Sequence, residues 1–405
     1  MNTTRGEIPC QTASRHSNGQ VEFRFSTLQI GHGWKPEKAG SGLDRVYFSL
    51  CKHLPDAGVD IQGLVAGNPS PGEATLSEDS PITSVCSARA SLPVRLASFR
   101  RSCHTRFEHV GFDLVASHFP LFAFPTLGTF DTPLVTHFHG PWAEEGIVEG
   151  DGFATSRVKR WIETRVYRNT ARFIVLSEAF RTVLIQQYRV PPERISIVPG
   201  GVDVERFQPT MTRHTARKKL GWPTGRPILL SVRRLVRRVG LDRLVNAVDL
   251  ARQRCPDLLL HIAGTGPLGS DLRRQIDDLG LGNHVKLLGF VPDDDLPTAY
   301  RAATISIVPT IALEGFGLVA VESLAAGTPA LVTPVGGLPE VVCDLSESLI
   351  TESASIKHIA ARIVDAVDGT VSVPTSEACT AFARSHYSWK SVAQKTRTVY
   401  EDALS

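Results

Sequence analysis

Short apolar runs alternate with amphipathic stretches along most of the 405 residues. The runs Val21–Leu28, Asp60–Val65, Leu114–Ser117, Leu134–Phe138, Arg172–Leu176 and Ile195–Val198 read as buried strands. They continue at Ile228–Val232, Leu258–Ala263, Val285–Leu288, Ile305–Val308 and Ala330–Val332. Continuous apolarity marks strands covered on both faces. Helices fit between most of them: Arg243–Arg254 sets Leu244, Ala247, Val248 and Ala251 on one side. This alternation predicts an α/β fold of parallel sheets with helices on both faces. Eleven strands exceed one comfortable doubly wound sheet, so two Rossmann-like domains are expected. The break falls at Pro199-Gly200-Gly201-Val202-Asp203, before the polar, basic stretch Thr210–Lys219. It gives a first domain over 23–205 and a second from 206, after a polar tail over 1–22.

Composition narrows the classes. Apolar residues make up 42% and charged residues 21%, as in a soluble globular protein. The net charge of +3 argues against a dedicated nucleic-acid binder, which carries a basic excess on one face. Seven cysteines are scattered with no CxxC pair, which suggests neither a zinc site nor a disulfide framework. Reduced thiols and a cytoplasmic location are expected. No apolar run is long enough for a membrane-spanning helix, and the N-terminus lacks a signal-peptide pattern. Arg89–His109 is basic and amphipathic, with Leu92, Leu96, Phe99, Cys103 and Phe107 at helical spacing. It reads as a core-packed helix with a solvated basic face. With the second basic stretch Arg157–Arg172 it leaves peripheral contact at the inner membrane face open. Flotation on anionic vesicles separates the two readings.

The most informative chemistry lies between Pro309 and Gly327. A strand ends at Pro309, a loop carries Glu314, and Gly315-Phe316-Gly317 opens a helix. Free amides at a helix N-terminus hold an anion such as a phosphate. Glu322 lies one turn into this helix among Leu318, Val319, Val321 and Leu324. A carboxylate so surrounded needs hydrogen-bond partners, which a ribose or sugar hydroxyl pair would supply. Arg233, Arg234, Arg237 and Arg238 follow another strand end, where open α/β sheets bind ligands, and would neutralise a diphosphate leaving group. Gly264, Gly266 and Gly269 have the spacing of a dinucleotide loop. Such loops need an acid about 20 residues on, at the end of the next strand. That strand ends in Leu288-Gly289-Phe290, so no nicotinamide site is expected. Asp293-Asp294-Asp295 reads as the first turn of a helix rather than a metal site.

In the first half, His139 stands at a strand end beside Gly140, Pro141 and Trp142. It is placed to hydrogen-bond a sugar hydroxyl, with Trp142 stacking on a sugar face. Gly40-Ser41-Gly42-Leu43-Asp44-Arg45 forms a glycine loop at the same end of the sheet.

These residues resemble the retaining glycosyltransferases of family 4, which have the GT-B fold. The resemblance covers the chain from about 23 to 400, and its most specific part is the Glu-x7-Glu pattern of Glu314 and Glu322 around Gly315-Phe316-Gly317. His139-Gly140, Ser177, Pro199–Asp203, Gly264-Thr265-Gly266-Pro267, Gly336–Glu340 and His386–Trp389 support it. The resemblance implies that Glu314 approaches the donor sugar, that Glu322 binds the ribose, and that amides around Phe316-Gly317-Leu318 hold the diphosphate. It puts His139 near the donor sugar, Val291 near the base, and Gly42, Gly264, Gly266, Gly315, Arg234 and Arg238 at the donor. It also implies that residues 381–405 form a helix crossing back to the first domain. The family has Gly-Arg-Leu and then a lysine before a glycine; here Arg233 takes the first position and Val239 the lysine position. Arg238 or Arg237 is expected to supply the missing charge. The usual glycine pair is Ser41-Gly42. Attack by an acceptor hydroxyl from the leaving-group side, with a donor phosphate oxygen taking the proton, is the implied route. It differs from the carboxylate nucleophile of retaining hydrolases. It needs no cofactor or metal, the nucleotide sugar being a substrate, and the acceptor is a glycan, a lipid-linked glycan or a small molecule. A nucleotide-sugar epimerase or phosphorylase on the same architecture, and a non-catalytic sugar-nucleotide-binding protein, are the alternatives.

Overall fold

The computed structural model describes residues 24–33, 42–67, 81–87, 89–208 and 210–405. The expected tail over 1–22, and Gly40 and Ser41 of the first glycine loop, lie outside them.

Two all-parallel sheets form. The first has seven strands: β1 (Phe25–Gly33), β2 (Val59–Ala66), β3 (Ile82–Ser84), β4 (Leu114–Ser117), β5 (Leu134–Phe138), β6 (Arg172–Val175) and β7 (Ile195–Ile197). Their order is β3-β2-β1-β4-β5-β6-β7. The second has β8 (Ile228–Val232), β9 (Leu259–Ala263), β10 (Val285–Gly289), β11 (Ile305–Val308) and β12 (Ala330–Val332), in the order β10-β9-β8-β11-β12. Strand order reverses between β1 and β4 and again between β8 and β11. In open α/β sheets the crevice beyond such points binds ligands.

The sequence pattern locates eleven of these twelve strands and misses the three-residue edge strand β3. It also stops β1 too early. The strand runs through Gly31 to Gly33, and a side chain at Gly31 would meet the buried Tyr47 ring at 2.8 Å. This glycine serves packing rather than a turn. A further difference concerns the end of the chain. The helix Ser376–Tyr387 buries Cys379, Ala383 and Tyr387 in the core of the second sheet. Only the helix Trp389–Leu404 returns to the first sheet, where Trp389, Val392 and Tyr400 join its core. The crossing is therefore at Ser388 rather than 381, because Cys379 and Ala383 are apolar toward the second domain. Val202 pairs with Ser388 there, and its N–H donates to the Tyr387 carbonyl at 2.8 Å.

The helix Leu92–His109 buries Phe99 and Cys103. The helix Phe153–Arg168 leaves Phe153, Val158 and Trp161 exposed. No helix among the described residues is long and apolar enough to cross a membrane.

Candidate functional site

The switch points bring the expected residues to one cleft. On the second domain, Arg233 follows β8, and Thr310 and Glu314 follow β11. Arg233 forms a close ion pair with Glu314, and the Thr310 hydroxyl donates to the same carboxylate oxygen at 3.0 Å. All three are largely shielded from solvent. Burial pushes the Glu314 carboxyl up, but Arg233, Arg238 and the two hydrogen bonds outweigh it, and the net displacement is downward. Glu314 is therefore ionised at neutral pH. Its loop bends through Leu313, a left-handed residue at φ 53°, and strain at such a position costs of order 1 kcal/mol or more. Arg238 braces that bend by donating to the Leu313 carbonyl at 3.0 Å.

Arg238, rather than Arg237, thus faces the site. Arg237 is exposed, and Val239 is buried in the core of the second domain. Arg234 is exposed, and its guanidinium makes no hydrogen bond or ion pair among the described residues, so its charge is free to meet a ligand.

The helix Leu318–Ala325 starts at Gly317, and its first bonded amide is Ala320, which donates to the Gly317 carbonyl at 2.8 Å. The amides of Leu318 and Val319 precede it and point out of the helix end. Gly42, which opens the helix Gly42–His53 of the first domain, lies so close that an added Cβ would stand 3.8 Å from Leu318 Cδ1. Two helix N-termini of opposite domains therefore meet. Gly264 and Gly266, expected at the donor, pack against the arginine loop. A Cβ on Gly264 would stand 1.9 Å from the Arg233 carbonyl, and its N–H is taken by Gly289 O at 2.7 Å. These glycines admit the backbone of the arginine loop and set its position.

Sequence reasoning gives no role to Arg45. It spans the cleft from the helix Gly42–His53, donating to Glu322 Oε1 at 2.6 Å and to Asp293 Oδ1 at 2.8 Å. Tyr300 completes Glu322 by donating to Oε2 at 3.1 Å. Glu322 is thus the partnered buried carboxylate its apolar helix requires. Asp293–Asp295 form a single 3-10 turn leading into the helix Leu296–Ala302, with Val291 partly buried before it. A second strut is Glu340, which accepts from the amides of Glu178 and Ala179 at 2.8 and 3.1 Å. It caps a first-domain helix whose N-cap is Ser177. A carboxylate there complements the helix dipole.

On the first domain, His139 follows β5 and belongs to a stack. The His118 and His137 rings are 4.1 Å apart, and His118 and His139 are 5.5 Å apart. His118 Nδ1 lies 3.3 Å from His139 Nε2, and His118 Nε2 lies 3.2 Å from Gln29 Oε1. His137 Nε2 lies 2.8 Å from the hydroxyl of Tyr400 on the returning helix. His118 stands just past β4, and no spacing in the sequence ties it to His139. Trp142 is expected to stack on a sugar. It packs instead edge-on to Phe119, with Lys159 Nζ 4.8 Å from its ring centre.

Burial holds His118 and His137 well below the usual imidazole range, helped by their neighbours' charge. His139 falls to about 4 by burial, against a small opposing effect of Asp44. The stack is neutral at pH 7, so His139 acts as a hydrogen-bonding group. Because the folded imidazoles hold protons more weakly than the unfolded ones, stability is full above about pH 6.5 and is lost as pH falls from there toward 4. Urea unfolding at pH 7.5 and 5.0 should show a loss of more than about 2 kcal/mol for the wild type. His118→Gln should show a smaller loss. Equal losses in the two proteins would remove the stack as the cause.

Comparisons with known proteins agree with this geometry. Residues 40–206 match the family model described as Glycosyltransferase Family 4, and residues 212–386 match that described as Glycosyl transferases group 1. The D-inositol 3-phosphate glycosyltransferase of Corynebacterium glutamicum is 29% identical over 95% of this chain and 96% of its own. That of Corynebacterium jeikeium is 30% identical over 78% of each chain. Among solved structures, sucrose-phosphate synthase from Thermosynechococcus elongatus superposes with a TM-score of 0.77 at 22% identity, covering 94% of this chain and 99% of that one. Anabaena HepE in complex with UDP-glucose gives 0.74 at 22% identity, covering 93% and 100%.

Proposed function

This chain belongs to glycosyltransferase family 4 and has the GT-B fold, and on that basis we propose that it moves a sugar from a UDP-sugar to a hydroxyl of a small phosphorylated polyol, retaining the anomeric configuration. The observation that carries the reading is the junction at Leu318: a helix N-terminus with Glu314 in the loop before it and Glu322 one turn in, that loop braced by Arg238 at the Leu313 carbonyl. Helix amides and guanidinium groups aimed at one place suit a diphosphate that gains charge as the sugar leaves. The donor base would lie near Val291 and the ribose on Glu322. Glu314, held ionised by Arg233, would accept from donor-sugar hydroxyls and offset positive charge at the anomeric carbon. His139, neutral, would bond the same sugar from the other wall. The acceptor hydroxyl would attack on the face from which the diphosphate departs and pass its proton to a diphosphate oxygen. No protein base is required on that route.

UDP is supported by the HepE complex, and D-inositol 3-phosphate is the first acceptor to assay given the names of the relatives. Ribose hydroxyls at Glu322 would compete with Arg45, which already donates to Oε1. UDP should therefore raise Tm in the wild type by mass action, and Arg45→Ala should bind it more tightly. Glu322→Gln should show a much smaller shift. A shift of equal size in Glu322→Gln would take the ribose off this residue, and the absence of any nucleotide effect would remove the donor reading.

A further inference from the structure

We infer that the second domain carries a separate anion site, for the phosphate groups of a small molecule, at the edge of its sheet opposite the cleft. The site stands on its own observations and does not depend on the function proposed above. Thr304 and Pro329 precede β11 and β12, so they mark the N-terminal strand ends, whereas Arg233 and Thr310 mark the C-terminal ends. A cavity of about 340 Å³ opens there, lined by Arg213, Arg301, Thr304, Thr375 and Ser376 among others. That is room for more than one phosphate group, and within the range of small-molecule pockets.

Its electrostatics are unbalanced. The buried Nε of Arg213 has no hydrogen-bond partner. Arg301 spends Nε on the Met211 carbonyl at 3.0 Å and Nη1 on the Ser376 hydroxyl at 2.5 Å. Arg217, behind the cavity, donates to the Ala302 carbonyl at 2.8 Å and to the Thr304 hydroxyl at 2.9 Å. None of the three makes an ion pair among the described residues. Burial first, and then the charge of its neighbour, weakens the hold of Arg213 and of Arg217 on their protons. The acid at the rim is the exposed Glu377, whose carboxylate bonds to its own amide and to Thr375 and feels the Arg301 charge more weakly, without an ion pair. Guanidinium groups gathered without an ion-paired carboxylate are costly unless an anion joins them, and their planar forks match phosphate oxygens. Close packing builds the pocket wall: a Cβ on Gly327 would stand 2.2 Å from Ser376 Oγ and 3.1 Å from Arg301 Nη1.

The test is calorimetric titration of the full chain with pyrophosphate at constant ionic strength. The cleft is silenced by Arg234→Ala with Arg238→Ala. This double variant should still bind pyrophosphate, at least about tenfold more tightly than sulfate. Adding Arg213→Gln should weaken that binding by about tenfold or more. Arg301→Lys, which keeps the charge and loses the fork, should weaken it less, and circular dichroism reports whether each variant folds. The site is overturned if the double variant does not bind pyrophosphate, if sulfate binds equally well, or if Arg213→Gln in a folded protein leaves the affinity unchanged.

Discussion

Replacing Arg238 by alanine should lower kcat/KM for the nucleotide sugar by two to three orders of magnitude, about 3–4 kcal/mol of transition-state stabilisation. The family lysine is absent because its position is Val239, which is packed in the core. One residue earlier, the short 3-10 turn Arg237–Val239 directs Arg238 toward the Glu314 loop and leaves Arg237 in solvent. Arg238 lies within reach of Glu149 at 4.0 Å and of the Leu313 carbonyl at 3.0 Å, so its charge is already positioned before a ligand arrives. Prepositioned charge costs no reorganisation as the diphosphate departs. Arg237→Ala should stay within about threefold of wild type, since a solvated charge contributes little. Arg238→Lys should recover part of the loss in kcat, because it restores charge without the brace on Leu313. Comparable losses in Arg237→Ala and Arg238→Ala would assign the missing charge to the loop as a whole.

The second large effect is on pH dependence, and it concerns Arg233. Substituting the family's glycine at this position should open an acid limb in kcat/KM that the wild type lacks between pH 8 and 6. In the wild type the Glu314 carboxyl lies below its ordinary value, so it is ionised across that range. Burial alone would push it up, and the Arg233 ion pair is the largest effect opposing that push. With Arg233→Gly the burial effect dominates, the carboxyl takes up a proton as pH falls, and activity should drop about tenfold or more at pH 6. Breaking a buried pair also costs stability, of order 3 kcal/mol, so Tm should fall too. Arg233→Lys separates the effects: it keeps a charge beside Glu314 and should keep the flat profile. A flat profile in Arg233→Gly would mean that ionised Glu314 is not needed for turnover.

Much of this is legible in the chain because parallel strands buried on both faces are written as unbroken apolar runs. Ile228–Val232, Leu134–Phe138 and Ile305–Val308 each match a strand end for end. Residues just past the C-terminal end of such a strand stand at the crevice, so His139, Arg233 and Glu314 can be placed by position in the sequence. Edge strand β3 reads Ile82-Thr83-Ser84, one apolar residue followed by two polar ones, so it carries no apolar run to mark it. The reach of β1 through Gly31 is hidden because a glycine in a strand looks like a turn until Tyr47 is seen against it. Arg45 with Glu322, Glu340 with the amides of Glu178 and Ala179, and Tyr400 with His137 join residues from 161 to 277 positions apart. Each pairs groups whose local sequence is complete without the other, so only the fold brings them together. The glycines at 264 and 266 show the converse case: a motif found correctly, whose close approach to the Arg233 and Leu235 backbone is visible only in the fold.

The most direct test of the central claim is to incubate the full chain with α-linked UDP-sugars and D-inositol 3-phosphate, and to follow UDP release and the anomeric proton of the product by NMR. Acceptor-dependent release of UDP with an α-linked product is the predicted result. Release of UDP with a β-linked product would contradict retention, and no acceptor-dependent release with any nucleotide sugar or polyol phosphate would contradict the transferase chemistry assigned to the cleft.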